Sequence, residues 1–451
     1  MAFLIKSAGL VTTGTTGADL FSIENGAGQK STILGLAGSD NIQALAGLAT
    51  ATAFVINAAG DQDTISISGQ TTVMSSSTVM GGAGADLISM NASGFNASVL
   101  KGGDGNDTVT ISGTEFQGAN LNLGEGADSI AFSGAADFSA GIVAGGSGAD
   151  TIDVNVNEAN SAQIIGGGGA DFIDVSAVAT TGLLINGDSS VDGGGADTID
   201  INGAFDDATL KGKGGKDIIT VSAIAGTGTQ VLGNAGADNI IVSSVDGAGS
   251  ANLIGGGAGN DTITVSGLDG ANSVVGGGGA DLITISAAAA VSGVVFAGAG
   301  ADTVNFAGAL FSGTSVIGAN SDSTLTKMDA YTRGTNVAGT GASFTRSAVS
   351  TTTLSTGIAG GANFSGTTIY TGLINSGEFE TAGGVTARAA IIDAEGGGAG
   401  TVFVFEASNE NFLFIQGGSA GTSDDYVAKI GSGTRTVSGL GFTLGSASVK
   451  L

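Results

Sequence analysis

Aspartate recurs through the first two thirds of the chain at intervals of about 21 residues, in the same local setting each time. With one exception, a glycine stands two residues before it, and the residues two and four positions after it are apolar in nearly every copy. A carboxylate in a glycine turn can bind a hard cation together with backbone carbonyl oxygens, or it can accept hydrogen bonds from turn amides. The aspartates are Asp19, Asp40, Asp63, Asp86, Asp107, Asp128, Asp150, Asp171, Asp197, Asp217, Asp238, Asp261, Asp281 and Asp302.

The residues around each aspartate predict two short strands joined by turns. In the unit that starts at Gly81, Ile88 and Met90 alternate with polar or outward residues, which is the period of a half-buried strand. The turn glycines permit positive φ, and a second turn around Gly94 precedes a return strand that ends near Val99. Repetition of such a unit at a fixed period is typical of a solenoid.

We therefore predict an all-β fold: a right-handed parallel β-helix or β-roll solenoid of about 14 coils of about 21 residues, followed by a smaller β-rich carboxyl-terminal region. The predicted domains are an amino-terminal segment at 1–13, the solenoid at 14–306, a Ser/Thr/Gly-rich β region at 307–400 and a β-rich region at 401–451. The sequence leaves open whether 307–400 continues the solenoid or forms a separate β-domain. Residues 401–416 predict two strands around a polar turn.

Stacked coils would place the aspartates in one column. Neighbouring strands lie about 4.8 Å apart, and two unit charges at that distance repel by roughly 3.5 kcal/mol at an effective dielectric constant near 20. Calcium suits such a column because it takes six to eight oxygen ligands, whereas magnesium demands octahedral geometry and zinc would lack its nitrogen and sulfur ligands here. We expect multiple Ca²⁺ ions between adjacent coils along one edge, with the ligands Asp86, Asp107, Asp128, Asp150, Asp171, Asp197, Asp217, Asp238, Asp261, Asp281 and Asp302.

The alternative for this column is that each aspartate only caps its turn by accepting amide hydrogen bonds, without a metal. We favour that alternative for Asp19, Asp40 and Asp63. The degenerate turns that end at Asp40 and Asp302 could both be purely structural.

Composition limits the classes of partner. The formal net charge is −27, and the chain up to residue 306 holds 30 acidic and 6 basic residues. We therefore expect no binding to nucleic acid, because a strongly acidic surface repels phosphate. Cysteine is absent, and no run of eighteen apolar residues occurs, so neither disulfides nor membrane insertion is expected.

The same composition argues against enzymatic activity. Histidine is absent, which excludes the HExxH zinc site, the Ser-His-Asp triad and histidine acid–base catalysis. The segment 417–421 matches the nucleophile elbow in letters only, since no base accompanies Ser419, and 211–217 lacks the spacing of a phosphate loop. A carboxylate-based polysaccharide-active enzyme stays open as a minor alternative.

The turns resemble the calcium-binding repeats of the repeats-in-toxin (RTX) family, Gly-Gly-x-Gly-x-Asp-x-apolar-x. The resemblance covers about residues 14–306 and implies a calcium-binding β-roll. The family pattern has two calcium turns in each coil, whereas here one turn carries the motif and the opposite turn varies, so we predict a single calcium ladder. Close matches to the motif occur at 81–86, 102–107, 145–150, 166–171, 256–261 and 276–281.

The carboxyl-terminal fifty residues resemble the end of surface-layer and related proteins that are exported by the type I secretion pathway with an uncleaved carboxyl-terminal signal. That resemblance implies an extracellular or cell-surface protein, exported without an amino-terminal signal peptide and folded by external calcium. An ordinary β-rich terminal domain is the alternative. The amino terminus agrees with the first interpretation, because it lacks the apolar stretch of a signal peptide.

Together these features predict an extracellular structural protein that folds on Ca²⁺ and self-assembles into a surface layer, sheath or filament. Its expected partners are copies of itself, with cell-surface polysaccharide as a second candidate. An adhesin or a virion structural protein is the main alternative. Ice binding would need a regular outward threonine array, and outward positions here mix residues such as Leu87, Thr108 and Asp153.

Overall fold

The structure, a computed structural model, describes most of the first 311 residues and short segments of the rest. Its described residues fall into two compact units, Met1–Ala235 and Gly236–Leu451. The described ranges are 1–311 without 6–8, 24–29, 45–49, 134–136, 190–193, 246–250, 269–271 and 292, then 315–318, 329–333, 343–346, 362–364, 367–371, 389, 402–407, 410–415, 426–432, 441–443 and 448–450.

The first unit consists of strands that alternate along the chain between two parallel sheets. The strand that follows each aspartate belongs to the first sheet, and the return strand belongs to the second. First-sheet strands are Ala2–Ile5, Leu20–Ile23, Asn41–Ala44, Thr50–Thr52, Thr64–Ser75, Leu87–Asn96, Thr108–Ile111, Ser129–Phe132, Thr151–Glu158, Phe172–Thr181, Thr198–Asp206 and Ile218–Ile224. Second-sheet strands are Val11–Thr13, Thr32–Leu34, Val55–Gly60, Thr78–Ala83, Val99–Asp104, Asn120–Glu125, Ile142–Ser147, Gln163–Gly168, Leu184–Asp188, Thr209–Gly214 and Gln230–Ala235.

The second unit starts with the same alternation of parallel strands. The strands that correspond to the first-sheet strands of the first unit are Asn239–Val242, Thr262–Ser266, Leu282–Val291, Thr303–Phe311 and Asp329–Arg333. Its return strands are Leu253–Ala258, Ser273–Gly278, Val294–Ala299, Ser315–Gly318 and Ser343–Arg346. The remaining described strands are Ala362–Phe364, Thr367–Thr371, Val402–Ala407, Glu410–Ile415, Tyr426–Ser432, Gly441–Thr443 and Ser448–Lys450.

The strand register repeats the sequence register. Ile88 is paired with Ile65 in the preceding coil and with Val109 in the following one, and all three side chains are buried. The neighbouring outward position is exposed at Leu87. The buried side chains of successive strands therefore form a column on the inner face of the sheet, and parallel pairing keeps them in register. The prediction of an all-β parallel β-solenoid is confirmed.

Aromatic side chains fill part of the interior near the second turn of the first unit. Phe116 lies between Phe95 and Phe132, with ring centroids 6.0 and 5.9 Å apart, and Phe132 also contacts Phe138 at 5.1 Å. All four rings are buried. They are core residues, because they are buried and pair at the tilted and edge-on angles typical of aromatic packing.

Parallel pairing in the second unit extends past the predicted solenoid boundary at residue 306. Thr303–Phe311 pairs in parallel with Asp329–Arg333, and Ser315–Gly318 pairs in parallel with Ser343–Arg346. Most of 347–401 lies outside the described residues, so the predicted domain limits stay predictions.

The carboxyl-terminal region contains the predicted pair of strands. Val402–Ala407 and Glu410–Ile415 form an antiparallel pair, and Tyr426–Ser432 adds to it on the other side of Glu410–Ile415. That part of the prediction is confirmed. Among the described residues, no helix is long and apolar enough to cross a membrane.

Candidate metal centre: the aspartate ladder

Each aspartate lies in the turn that leads into a first-sheet strand, with its side chain directed into the protein. We number the turn from its first residue, so that in 145–150 Gly145 is position one, Gly146 position two, Gly148 position four and Asp150 position six. All fourteen aspartates have a relative exposure between 0% and 3%. Burial of so many carboxylates within each unit requires compensation.

Part of that compensation is a ladder of hydrogen bonds from each aspartate to the next. The amide of Asp150 donates to Oδ1 of Asp171 at 2.8 Å, and Oδ1 of Asp150 in turn accepts from the amide of Asp128 at 2.8 Å. Nine such bonds link Asp19 to Asp217 in the first unit, and three link Asp238 to Asp302 in the second. All eleven predicted ligands therefore belong to ladders of one kind.

Main-chain hydrogen bonds hold adjacent turns together at the same edge. The carbonyl of Asp150 accepts from the amide of Phe172 at 2.8 Å, and the amide of Gly148 donates to the carbonyl of Gly168 at 2.6 Å. Each turn is thus fixed to its neighbour on both sides of the aspartate. The position of the carboxylate is determined by backbone, not by a flexible side chain alone.

In the turn 145–150, glycine is required at positions two and four because the chains approach closely there. Gly146 has φ +117° and Gly148 has φ +132°, which are left-handed conformations that side chains rarely adopt. A Cβ on Gly146 would also lie within 3.0 Å of the carbonyl oxygen of Gly124 in the preceding coil. Four turns carry another residue at position two with a smaller positive φ of 79° to 86°, namely Leu36, Ala59, Lys213 and Asn234.

The second carboxylate oxygen has a different environment from the first. In ten of the aspartates Oδ2 is buried and accepts no hydrogen bond. A buried oxygen that bears charge and has no donor is strongly disfavoured, since it loses its water without replacement. These aspartates are Asp40, Asp63, Asp86, Asp107, Asp128, Asp150, Asp171, Asp197, Asp261 and Asp281.

Oδ2 shares its surroundings with a carbonyl oxygen of the following coil. In the turn 145–150, both Oδ2 of Asp150 and the carbonyl oxygen of Gly166 lie within 3.0 Å of the point where a Cβ on Gly145 would be. Two acceptors therefore converge beside the bare Cα of position one. The same convergence is found at Gly14, Gly35, Gly81, Gly102, Gly166, Gly187, Gly212, Gly256 and Gly276.

The electrostatic consequence is a set of carboxyl groups that ionise with difficulty without a counter-ion. Burial raises the pKa of Asp150 and Asp171 to about 6 and that of Asp107 and Asp281 to about 7, and the hydrogen bond from the preceding amide only partly opposes this. Neighbouring carboxylates add to the rise at Asp107 and Asp281. Something electropositive, a proton or a metal ion, is needed between the converging oxygens.

The donor set fits a calcium ion. A carboxylate oxygen and a carbonyl oxygen are hard ligands, and the missing side chain at position one leaves space beside them. The ion could not occupy the Cβ point itself, which is one bond length from Cα, but would lie farther out between the two oxygens. No three acidic side chains of the described residues lie close enough to hold a metal by themselves, so main-chain oxygens would have to complete the coordination.

Asp19 differs from the rest of the ladder. Its Oδ2 accepts hydrogen bonds from the amide and the hydroxyl of Thr15, and Oδ1 accepts from the ammonium group of Met1. The bond from Met1 and then the bond from the Thr15 amide lower the pKa of Asp19. Both carboxylate oxygens are satisfied, as expected for the capping role that the sequence favours for this residue.

A buried aspartate that sequence reasoning missed, Asp188, lies near the ladder. It is 1% exposed, and its carboxylate accepts from the amides of Gly195 and Gly214 at 3.1 and 3.2 Å. Burial raises its pKa, although these hydrogen bonds and the charge of Lys213 act in the other direction. The signal that could have found it is the interval of 26 residues between Asp171 and Asp197, which marks an enlarged turn.

The opposite turn of the first unit carries a second ladder, which is neutral. The amide of Ser77 donates to Oγ of Ser98 at 3.0 Å, and the amide of Ala208 donates to Oγ1 of Thr229 at 3.3 Å. In the second unit the amide of Asn252 donates to Oδ1 of Asn272 at 3.0 Å. A neutral oxygen acceptor is therefore sufficient to cap the amide of the preceding coil.

Comparisons with known proteins add a structural likeness only. A scan against models of protein families and a search of the curated proteins both give no match. Among solved structures, the chain is similar to one described as an X-ray crystal structure of a hyperactive, Ca2+-dependent, beta-helical antifreeze protein from an Antarctic bacterium. The two are 18% identical with a TM-score of 0.35, and the match covers 74% of this chain and 83% of that one. At this level the likeness carries no weight for function.

Proposed function

We propose that this chain is an extracellular structural protein whose β-solenoid is stabilised by a ladder of Ca²⁺ ions and which assembles with copies of itself. The observation that carries the proposal is the buried Oδ2 of residues such as Asp150, which has no hydrogen-bond donor and faces a carbonyl oxygen of the next coil. A divalent cation between the two would satisfy both oxygens and cancel the repulsion along the column.

The neutral ladder at the opposite turn supports this choice over simple capping. Ser98 and Asn272 accept the amide of the preceding coil without any buried charge. If capping were the whole role of Asp150, asparagine would serve as well and would avoid the cost of burying a carboxylate. The recurrence of aspartate on one edge alone is therefore best explained by a ligand that needs the second oxygen.

The composition of each turn supports an extracellular location. Calcium affinity rises with the number of carboxylate ligands and the rigidity of the site, and sites of extracellular modules bind at about 10⁻⁴–10⁻³ M. No cluster of three carboxylates is found among the described residues, so we expect affinities in that weak range. Such sites would be filled in calcium-rich external medium and empty in a cytosol low in calcium, which agrees with an RTX-type protein exported by type I secretion.

Assembly into a surface layer, sheath or filament is the finer part of the proposal. Along the outward face of the first-sheet strands, Leu87, Phe172 and Ile218 in the first unit are 39% to 45% exposed, and Leu282 in the second is 38% exposed. These side chains are candidates for contacts between copies, alongside cell-surface polysaccharide as a second partner. Single exposed apolar residues are common on monomers, so the oligomeric state has to be measured.

Two other functions receive less support from the described residues. An enzyme would need an acid or base in a cleft, and the buried carboxylates found here lie in a repeated internal ladder. Ice binding would need a regular outward array, but the first outward position of successive coils holds Leu87, Thr108, Ser129, Thr151 and Phe172. We therefore propose no enzymatic activity and no ice-binding face.

The experiment that tests the proposal is a Ca²⁺ titration of full-length protein stripped on a chelating resin. Circular dichroism would follow β-structure, and light scattering with electron microscopy would follow particle size. A gain in β-structure or in its thermal stability on addition of calcium, together with growth into sheets or filaments, supports the proposal. A folded, monomeric protein that is indifferent to calcium would contradict both the ladder and the assembly.

A further inference from the structure

We infer that the residue at turn position one decides whether a turn of the ladder takes a Ca²⁺ ion: glycine leaves the site open, and a side chain closes it. This inference rests on the proposed calcium ladder and goes beyond it, because it distinguishes between turns that all have an aspartate at position six. It assigns Asp63, Asp128 and Asp302 to closed turns, in which position one is Ala58, Leu123 and Ala297.

The open turns share one geometry. At Gly145, Oδ2 of Asp150 and the carbonyl oxygen of Gly166 lie closer than 3.0 Å to the point of an added Cβ, which is nearer than real Cβ atoms approach other atoms. In the second unit the same holds at Gly256, where Oδ2 of Asp261 converges with the carbonyl oxygen of Gly276. The carboxylate and the carbonyl thus occupy space that a side chain at position one would take.

A side chain at position one cannot coexist with that arrangement. Leu123 stands in register with Gly102 of the preceding coil, since the flanking residues Lys101 and Asn122 are paired and Gly103 and Gly124 are paired. Its side chain is fully buried, as are those of Ala58 and Ala297. A real Cβ there must keep its distance from the carboxylate, and the isobutyl group of Leu123 would exclude an ion and its waters from the space beside Cα.

The closed turns keep their structural role. The amide of Asp107 donates to Oδ1 of Asp128 at 2.7 Å, close to the 2.8 Å between the amide of Asp128 and Oδ1 of Asp150 in an open turn. The amide of Asp281 donates to Oδ1 of Asp302 at 2.9 Å. Capping of the preceding amide is therefore independent of position one. Oδ2 of Asp63 and of Asp128 is buried without a hydrogen bond, as in the open turns, so in these closed turns a proton would have to take the place of the ion. The sequence prediction that Asp128 and Asp302 bind calcium is replaced by this proposal.

The inference also applies to the turn of Asp40, which has a glycine at position one and a carboxylate oxygen without a hydrogen bond. Asp40 was assigned a capping role from sequence, yet its Oδ2 is buried without a hydrogen bond and converges with the carbonyl of Ala58 at Gly35. By the rule of position one, Asp40 belongs with the open turns. Asp19 does not, because Thr15 already satisfies its Oδ2.

The chain offers matched variants for a test. Alanine occurs naturally at position one in Ala58 and Ala297, so Gly145→Ala and Gly166→Ala place a residue that the fold accepts at this column. Leu123→Gly makes the reverse change. Gly118→Ala is the control, because Gly118 lies at the opposite turn with nothing within 4 Å of an added Cβ. Each full-length variant would be dialysed to equilibrium against buffered Ca²⁺, and bound calcium per chain would be measured by elemental analysis.

We expect Gly145→Ala and Gly166→Ala each to lower the bound calcium by one ion per chain, their double variant by two, and Gly118→Ala by none. Leu123→Gly should add one ion. Unchanged stoichiometry in folded Gly145→Ala and Gly166→Ala, with calcium bound to the parent protein, would overturn the inference and leave the ladder intact. Absence of calcium from the parent protein would instead overturn the proposed function. If Leu123→Gly does not fold, the three Gly→Ala variants decide the matter.

Discussion

The amide of Asp150 donates a hydrogen bond to Oδ1 of Asp171 at 2.8 Å, while Oδ2 of each of these two aspartates is buried without any donor. One carboxylate thus performs two separate tasks. Oδ1 closes the backbone hydrogen bonding of the preceding coil, and Oδ2 supplies negative charge to a small space that a carbonyl oxygen also faces. The first task needs only an acceptor, whereas the second needs a cation or a proton.

Replacement of Asp150 by asparagine should separate the two tasks. Asparagine keeps an acceptor for the amide of Asp128, and its amino group could donate to the carbonyl of Gly166. In calcium-free buffer we expect Asp150→Asn to be as stable as the parent or slightly more stable, because a buried charge is removed. In millimolar calcium it should gain less stability than the parent does. Thermal unfolding in both buffers measures the difference.

Two further variants serve as controls for that prediction. Asp150→Ala should lower the free energy of unfolding by about 1–3 kcal/mol even without calcium, because the buried amide of Asp128 loses its acceptor. Ser98→Ala removes an acceptor from the neutral ladder and should destabilise the protein equally with and without calcium. A calcium-dependent loss in Ser98→Ala would show that the two ladders are not distinct in the way described.

The stability of the calcium-free protein should fall as the pH rises from about 4 to 7. In the folded state burial raises the pKa of Asp150 and Asp171 to about 6 and that of Asp107 and Asp281 to about 7, against 3.8 for the ordinary group. Between these values the folded state binds more protons than the unfolded state, so raising the pH favours unfolding. Thermal unfolding of stripped protein at a series of pH values checks the sign.

The stabilisation by calcium should depend on pH in the opposite direction and increase as the pH rises. Protons and Ca²⁺ compete for the same oxygens, so the stabilisation by calcium should be largest near pH 8 and should shrink as the pH falls through 7 and 6. The readout is the difference in unfolding temperature with and without calcium at each pH. A calcium effect that grows toward acid pH would be incompatible with ligation by these carboxylates.

A methyl group at turn position two should be far more damaging than one at the opposite turn. Gly146→Ala puts a Cβ within 3.0 Å of the carbonyl of Gly124 at φ +117°, so the stacked turns must separate. Gly118→Ala adds a Cβ in open space at φ +62°, a column in which Ala97 and Ala140 already have φ +48° and +54°. We expect Gly146→Ala to lower the free energy of unfolding by several kcal/mol and Gly118→Ala to lower it by at most about 1 kcal/mol. Chemical denaturation in constant calcium compares them.

Calcium should stabilise the protein much more than magnesium at the same concentration. Main-chain carbonyls and single carboxylates give a site of irregular shape, which a flexible six-to-eight-coordinate ion accepts and a strictly octahedral ion does not. The expected half-saturation lies at about 10⁻⁴–10⁻³ M calcium. Equal stabilisation by both ions would indicate general charge screening of the acidic surface rather than specific ligation.

Much of the fold could be predicted from the sequence because one short pattern is repeated at a fixed interval. The alternation at Ile88 and Met90 predicts which side chains are buried, and both are at most 1% exposed. Parallel stacking follows, since each unit can bury its apolar side only against copies of itself. The column of buried aspartates follows from the same register.

Other features depend on contacts between coils that no single repeat reveals. The neutral ladder uses Ser98, Thr229 and Asn272, whose residue types vary too much to form a visible motif. Position one holds Gly145 in an open turn and Leu123 in a closed one. The consequence of this difference for a metal site becomes visible only from the structure, in which the aspartate oxygen and the carbonyl oxygen of the next coil converge beside Gly145. Both features arise from stacking distance rather than from local propensity.

The most direct test of the calcium ladder is a crystal structure of full-length protein grown in calcium, with an anomalous difference map. The account predicts peaks beside the position-one glycines, at calcium distances of about 2.3–2.6 Å from Oδ2 of Asp150 and from the carbonyl oxygen of Gly166. A well-ordered ladder without peaks in calcium-saturated crystals would contradict it, and would leave the aspartates as protonated caps of their turns.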